Sequence, residues 1–347
     1  MIEATHRNNP PLSSASWRRW AQFWILRAGA VGLAAMIAAG LAGQLVRDPV
    51  PASALLMYIP LPMIGAIALV VDLPCRGRAI SSPKFALAAM GAAAIAWSSA
   101  TMIGTGGSED SRPGDREVSI LHENVLWGGG PVRSPQTWSD QRADLVARNP
   151  DLIVLSEAPP ADWMAQLVRD LGPGASLVEV QNEPTSPYWY HLVVASRWPL
   201  RMEGHFRFSG GAGMAVAARV DGRPLRLLVV DGISRPTQSR LPFLGAIAAA
   251  CREARLAGRP FDLVLGDFNT PARSLGFDGL AGLGYRLAGR FAPGWRGTFP
   301  AWVPVYDIDH IWVGDRLRIR SEALFDGPHS DHRGQLVRLL VPEEPRR

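Results

Sequence analysis

Leu263-Val264-Leu265-Gly266-Asp267-Phe268-Asn269-Thr270-Pro271 places a carboxylate and a carboxamide two residues apart, where an apolar run meets a proline. A strand that ends this way delivers both side chains into one turn. Asp267 can orient or deprotonate a water there, and Asn269 can hold an anionic oxygen or a metal-bound group. The plainer use of Asp-x-Asn after a strand is an Asx-type turn. Chemistry gains the upper hand because other polar residues also sit where apolar runs stop. Asn124 closes Val118 to Asn124, and Glu157 closes Leu152-Ile153-Val154-Leu155-Ser156. Asp309 lies in Tyr306-Asp307-Ile308-Asp309-His310-Ile311, and Ser330-Asp331-His332 precedes the last apolar run. Strand ends and the loops after them are where rigid scaffolds carry reactive groups.

The elements that must position these residues follow from periodicity. Short β-branched and leucine-rich runs predict strands at 118–125, 152–155, 176–180, 190–196, 213–220, 225–231, 263–267, 308–313, 318–325 and 336–341. Helical spacing predicts helices at 139–149, 162–171, 241–256 and 274–283. Strands and helices that alternate in this way predict an α/β domain with two sheets. No internal repeat is visible.

The N-terminal third reads differently. Residues 1–22 are polar and basic and predict a cytoplasmic tail. Residues 23–103 hold three apolar stretches, 28–46, 52–71 and 85–103, with no charge inside any of them. Each approaches the roughly 20 residues that a hydrocarbon core of about 30 Å asks of a helix, so three transmembrane helices are expected. Arg7, Arg18, Arg19 and Arg27 precede the first stretch, and Arg76, Arg78 and Lys84 lie between the second and third. By the basic-residue rule these segments face the cytoplasm, and everything after the third span faces the periplasm or cell exterior. Residues 104–117 are a linker by composition, and 118–347 are the soluble domain.

Charge narrows the partners. The chain has a formal net charge of +5, but from residue 116 onward 27 Arg face 25 Asp plus Glu. A near-neutral domain argues against tight binding of long duplex DNA, which rests on many phosphate contacts. Two cysteines, Cys75 and Cys251, form no disulfide framework or metal-type spacing. Trp127, Trp189, Trp295 and Trp302 fall in loops and could stack on a base, touch lipid or simply pack. Nothing in the sequence points to a protein partner.

The ordered set Asn124, Glu157, Ser196-Arg197-Trp198-Pro199, Gly266-Asp267-Phe268-Asn269, Asp309-His310-Ile311 and Ser330-Asp331-His332 resembles the endonuclease/exonuclease/phosphatase superfamily. That superfamily includes pancreatic-type deoxyribonucleases, exonuclease III-like repair enzymes, neutral sphingomyelinases and inositol polyphosphate phosphatases. The resemblance covers residues 118 to about 341. It implies a four-layer sandwich of two mixed β-sheets flanked by helices, with the active site at one rim. It implies Mg²⁺, with Mn²⁺ as a substitute, held by Glu157 with Asn124 and Asp331. Asp267 would then orient or deprotonate the attacking water, and Asn269 would hold the phosphoryl group in line. His332 would contact the phosphate or transfer a proton, and Asp309 would fix its tautomer. Asp307 rivals Asp309 from two positions away. His310 and His329 are read as ordinary polar residues.

One departure stands out. Many members of the superfamily carry a second histidine after the strand matching 227–230, where this chain reads Val230-Asp231-Gly232-Ile233-Ser234-Arg235. Asp231 is the nearest replacement, and Ser234 or Arg235 could reach a phosphate. An aspartate donates to phosphate only when protonated. The expected protein is a membrane-anchored, metal-dependent phosphohydrolase acting on a nucleic acid or a lipid headgroup. The alternative is a catalytically impaired relative, tethered to the membrane as a phosphate-ligand binding module.

Overall fold

In the computed structural model, residues 14–75, 84–182 and 189–343 are described. Arg7, Arg76 and Arg78, used above to orient the chain, lie outside them. Four helices come first: α1 (Ser14–Val46), α2 (Pro51–Met57), α3 (Leu61–Asp72) and α4 (Ala86–Met102). Within α1, Trp20–Val46 is a 27-residue apolar stretch long enough to cross a bilayer. The second expected span is broken, because α2 and α3 meet at 56°. Pro60 causes the break: it has no N–H to continue a helix and disfavours the helical conformation at Ile59. At 17 residues, α4 rises about 25 Å, short of a hydrocarbon core of about 30 Å. Three spans are therefore corrected, among the described residues, to one helix of crossing length, or two if the bent pair crosses as one.

The chain divides into two compact units, one of residues 1–41 and 61–97, the other of 42–60 and 98–347. In the first, α3 and α4 approach closely at paired glycines. A Cβ on Gly65 would lie 2.7 Å from the carbonyl oxygen of Gly91. The buried Asp72 accepts the Ala88 N–H at 2.9 Å and so caps the first turn of α4.

The second unit holds β1 (Ile103–Thr105), β2 (Arg116–Asn124), β3 (Leu152–Ser156), β4 (Ser176–Gln181), β5 (His191–Ser196), β6 (Leu200–Phe208) and β7 (Gly211–Val220). It continues with β8 (Arg223–Gly232), β9 (Leu263–Asp267), β10 (Arg286–Leu287), β11 (Pro293–Trp295), β12 (Asp309–Val313), β13 (Arg318–Asp326) and β14 (Arg333–Val341). Its helices are α5 (Leu126–Gly129), α6 (Pro135–Ala147), α7 (Ala161–Leu171), α8 (Leu241–Leu256) and α9 (Asp278–Gly282). Two six-stranded sheets run β13-β14-β2-β3-β5-β4 and β10-β12-β9-β8-β7-β6, and β1 pairs with β11. Each large sheet is mixed, with one parallel pair, β2 with β3 and β8 with β9.

Side-chain alternation builds the layers. On β3, Leu152 and Val154 face a core shared by the two sheets, with Leu227, Leu263, Leu265 and Ile311 from the other side. Ile153 and Leu155 face the opposite way, onto Trp138 and Leu145 of α6 and Met164 and Leu167 of α7. On β9, Val264 packs under Phe243 and Ile247 of α8. Strands covered on both faces need unbroken apolar runs, which is why β3 and β9 show no polar alternation. A fully buried leucine here is worth about 1.5–3 kcal/mol.

Some elements were not foreseen. β6 has mostly half-buried or exposed side chains, and its register against β7 shifts between Met202 and Gly204. The stretch that reads as a linker lies along the domain: Glu109 N–H donates to the Ile319 carbonyl at 2.8 Å, and Arg286 pairs with Glu109. Residues 42–60 also belong to this unit. Asp48 is buried and accepts the Leu275 N–H at 2.7 Å and the Ser274 hydroxyl. Arg47 forks onto Asp278 at 2.8 and 2.9 Å.

Candidate active site

Strand register assembles the centre of the site. β9 lies parallel to β8 and antiparallel to β12, with Asp267 directly across from Asp231 on one side and Asp309 on the other. The close approach of β8 to β9 requires Gly266. Its φ is +142°, and a Cβ there would sit 1.9 Å from the carbonyl oxygen of Val230. Three buried carboxyls in a row repel one another. Burial and the neighbouring Asp309 raise Asp267, and burial with Asp267, Glu157 and Asp309 raises Asp231 well above the usual carboxylate range.

His332 relieves part of this repulsion. Its Nδ1 lies 2.8 Å from Asp309 Oδ2, and its Nε2 lies 4.0 Å from both Asp267 and Asp331. Burial alone would lower the imidazole, but Asp309, Asp267 and Asp331 outweigh it and push it up to about 10. Burial would likewise raise Asp309, yet the His332 charge and hydrogen bond hold it low. Thr298 Oγ1 accepts the N–H groups of Ile308 and Asp309 at 3.2 Å, fixing the start of β12. The last loop is tied down by Ser330, whose hydroxyl donates to the Asn124 carbonyl at 2.6 Å and accepts the His332 N–H at 3.0 Å.

Asn124, at the end of β2, joins the two sheets. Its Nδ2 donates to Asp267 Oδ2 at 3.0 Å, and its Oδ1 accepts the Leu126 N–H at 3.0 Å. Glu157 follows β3 with φ +47°, a left-handed residue that turns the chain at the rim. Its carboxyl is raised by burial and pulled back by a hydrogen bond from Asn124 and by His332. Asn269 is also left-handed, at φ +48°. Its N–H reaches Asp267 Oδ1 at 2.8 Å, the Asx turn expected, while its Nδ2 donates to the Gly232 carbonyl at 2.8 Å. Asn124, Glu157, Asp267, Asn269, Asp309, Asp331 and His332 thus gather at one rim of the two sheets.

The endonuclease/exonuclease/phosphatase family model matches residues 124–332. The chain belongs to the endonuclease/exonuclease/phosphatase family. No curated protein sequence matches it. Among solved structures, a family member from Bacteroides thetaiotaomicron superposes with a TM-score of 0.52 at 15% identity, over 66% of this chain and 99% of that one. The human Nocturnin catalytic domain with bound sulfate gives 0.51 at 16%, over 67% and 96%. A mannosyl-6-phosphatase from Bacteroides thetaiotaomicron gives 0.50 at 15%, over 64% and 99%. At these identities the likeness shows the fold.

Within this family member, other expected residues part company. Asp307 lies 3.7 Å from Arg296 and accepts the Ala272 N–H at 3.4 Å, so of the two rivals it is Asp309 that pairs with His332. Ser234 and Arg235 are exposed on the loop after β8 and neither bonds to the cluster among the described residues, whereas Asp231 stands within it. Burial and its neighbours favour the protonated form of Asp231, in which a carboxyl can donate. His310 Nε2 meets the Thr270 carbonyl at 2.8 Å, and His329 meets Asp140 at 3.1 Å. Trp127 and Trp189 stack on each other at 3.8 Å, Trp295 donates to Pro304, and Trp302 is exposed.

Two residues that touch the site carry no motif. Arg240, buried at the start of α8, donates from Nε to the Asn269 carbonyl at 3.3 Å. Tyr58 donates to the same carbonyl at 2.8 Å. Proximity in sequence predicts neither.

The donor set fits a hard divalent cation. Asp267, Asp309 and His332 offer atoms within 4.8 Å of one another. Oδ1 of Asp309 and of Asp331 are buried oxygens without a hydrogen-bond partner. A cluster of carboxylates whose protons are held by mutual repulsion is one that a cation stabilises, and oxygen donors suit Mg²⁺ or Mn²⁺.

Proposed function

We propose that this chain is a membrane-tethered, divalent-metal-assisted phosphohydrolase that cleaves a phosphate ester by in-line attack of water. The observation that supports it most is the contact chain Asn124–Asp267 and Asp309–His332, which joins residues of four separate motifs in one buried cluster. Asp267, in its ionised form, takes the proton of the attacking water as the new P–O bond forms. Asn269 commits one amide hydrogen to Gly232 and keeps the other for a phosphoryl oxygen. His332, with Nδ1 committed to Asp309, turns a protonated Nε2 to the phosphate or gives that proton to the departing oxygen as the ester bond breaks. As the family resemblance implies, Glu157, Asn124 and Asp331, rather than the Asp267, Asp309 and His332 group used for proton transfer, would hold Mg²⁺ or Mn²⁺, which would supply charge stabilisation of the phosphoryl oxygens.

Attachment to a membrane rests on α1. With its basic N-terminal flank in the cytoplasm, a single crossing would carry the domain to the outer, periplasmic face. A substrate of limited size, such as a phosphodiester or phosphomonoester of a short nucleic acid or a lipid headgroup, suits a near-neutral domain better than long duplex DNA does.

A second reading, a binding module without turnover, draws on Asp231 where relatives place histidine. The full chain in detergent, assayed with Mg²⁺, with Mn²⁺ and with chelator, decides between them. The substrates are bis-p-nitrophenyl phosphate, p-nitrophenyl phosphate, plasmid DNA and sphingomyelin. Metal-dependent turnover abolished by both Asp267→Ala and His332→Ala supports the hydrolase. Saturable metal or phosphate binding with no turnover of any substrate supports the module.

A further inference from the structure

A basic cavity lies away from the acidic cluster. A cavity of about 820 Å³ is lined by Arg47, Arg273, Arg286, Arg290 and Arg296, and Asp278 is the one carboxylate among the lining residues. All of these belong to the second unit, and the cavity walls include Ala100 and Thr101 of the last turn of α4 and Arg47 directly after α1.

Three of the guanidiniums already have carboxylates: Arg47 with Asp278, Arg286 with Glu109, and Arg296 with Asp307. Arg290 is exposed on the cavity and makes no side-chain hydrogen bond or ion pair among the described residues. The local field is positive enough that burial and the neighbouring Arg47 push the Arg273 guanidinium below its ordinary value. The lining also includes Phe277, itself 2% exposed, and the half-buried Phe291.

We propose that this cavity binds the phosphate-bearing headgroup of an anionic phospholipid. Arginine forks match phosphate oxygens. The space exceeds what a bare phosphate fills, and the aromatic surface suits a glycerol backbone and the first methylenes. Its wall includes Arg47, the residue next in sequence to the helix of crossing length. The site is independent of the phosphohydrolase reading, since none of the acidic-cluster residues lines it.

Native mass spectrometry of the full chain in detergent tests this with phosphatidylglycerol, phosphatidylcholine, sn-glycerol 1-phosphate and inorganic phosphate as probes. Phosphatidylglycerol should be retained at least about tenfold better than phosphatidylcholine, a difference of about 1.4 kcal/mol. Arg290→Glu should reduce that preference by about tenfold, and Arg290→Lys should keep most of it. Arg290→Gln, which removes the charge and keeps most of the side-chain length, should weaken it several-fold and serves if Arg290→Glu disturbs folding. Equal retention of the two lipids overturns the proposal, as does a preference unchanged by both Arg290→Glu and Arg290→Gln. Tight binding of the soluble phosphates without any preference for phosphatidylglycerol overturns the lipid assignment.

Discussion

The hydroxyl of Tyr58 donates a 2.8 Å hydrogen bond to the carbonyl of Asn269, across 211 positions of sequence. Tyr58 is itself held by Tyr306, whose hydroxyl donates to the Tyr58 carbonyl at 2.8 Å. Arg47 and Asp48, ten or more residues earlier, grip the next turn of the same loop at Arg273, Ser274 and Leu275. The segment between α1 and α3 therefore braces the loop that presents Asn269. Asn269 sits at a left-handed φ, uncommon for a non-glycine residue although asparagine tolerates it better than most, so the brace holds a turn that few other residues could make.

Tyr58→Phe removes one hydrogen bond and little volume. A loss of about 0.5–1.5 kcal/mol should appear as kcat reduced about 3–10-fold, with KM and metal affinity nearly unchanged. Steady-state kinetics beside a metal titration on the full chain check this. Equal loss in kcat and in thermal stability at every probe would make Tyr58 a structural residue only. A piece that starts at residue 116 lacks Tyr58 and should show the same defect or a larger one.

Asp309→Asn keeps the shape of the His332 partner and removes its charge. The imidazole, held up at about 10 by Asp309 and its neighbours, should fall toward the ordinary histidine value of about 6.5. Activity should fall about 100-fold or more, the usual scale of positioned acid–base chemistry. NMR titration of His332 checks the first part and kinetics the second. An imidazole that stays protonated above pH 9 in the variant would show that Asp267 and Asp331 suffice.

The site was legible in the sequence to the extent that its residues close apolar runs. Asn124, Glu157, Asp267 and Asn269 announce themselves because a strand must precede them, and Asp309 stands out over Asp307 only through the family's Asp309-His310-Ile311 pattern. Arg240 and Tyr58 were hidden for a physical reason: each acts on a backbone carbonyl of another element, and a carbonyl leaves no trace in side-chain pattern. Tyr58 was masked further by lying in an apolar run that reads as a membrane span. Only the break at Pro60 converts that run into a loop and two helices. β6 escaped because its side chains are half-buried and its register shifts beside Gly204, which blurs the alternation.

Gly266→Ala tests the strand pairing that lines up the acids. A methyl group 1.9 Å from the Val230 carbonyl oxygen, on a residue at φ +142°, cannot be accommodated without separating β8 from β9. Strain and overpacking together should cost about 3 kcal/mol or more. Chemical denaturation should show that loss. Surviving folded protein should turn over poorly, since Asp267 would no longer hold its place beside Asp231 and Asp309. A substitution at Gly172, where a Cβ meets nothing within 4 Å, is the contrast for clash, although its own φ of +106° keeps some strain.

Glu123 gives the fold a pH dependence of its own. It alternates with Asn124 on β2 and points away from the site, 1% exposed, with Oε1 unpartnered. Burial, reinforced by Asp144 and only partly offset by Arg148, pushes its carboxyl up to about 8 from 4.5. A carboxyl raised in the folded state binds its proton more tightly there than in the unfolded chain. Folding is therefore most favoured below about pH 4.5 as far as this group is concerned, and that advantage is lost as pH rises through about 8. At about 1.4 kcal/mol per pKa unit, the span amounts to a few kcal/mol. Glu123→Gln should flatten the decline in thermal stability between pH 5 and pH 9 and be the more stable protein at the alkaline end. A variant that declines with pH as steeply as the parent would assign the dependence to another buried acid, of which Glu322, also raised to about 8 by burial, is the first to test.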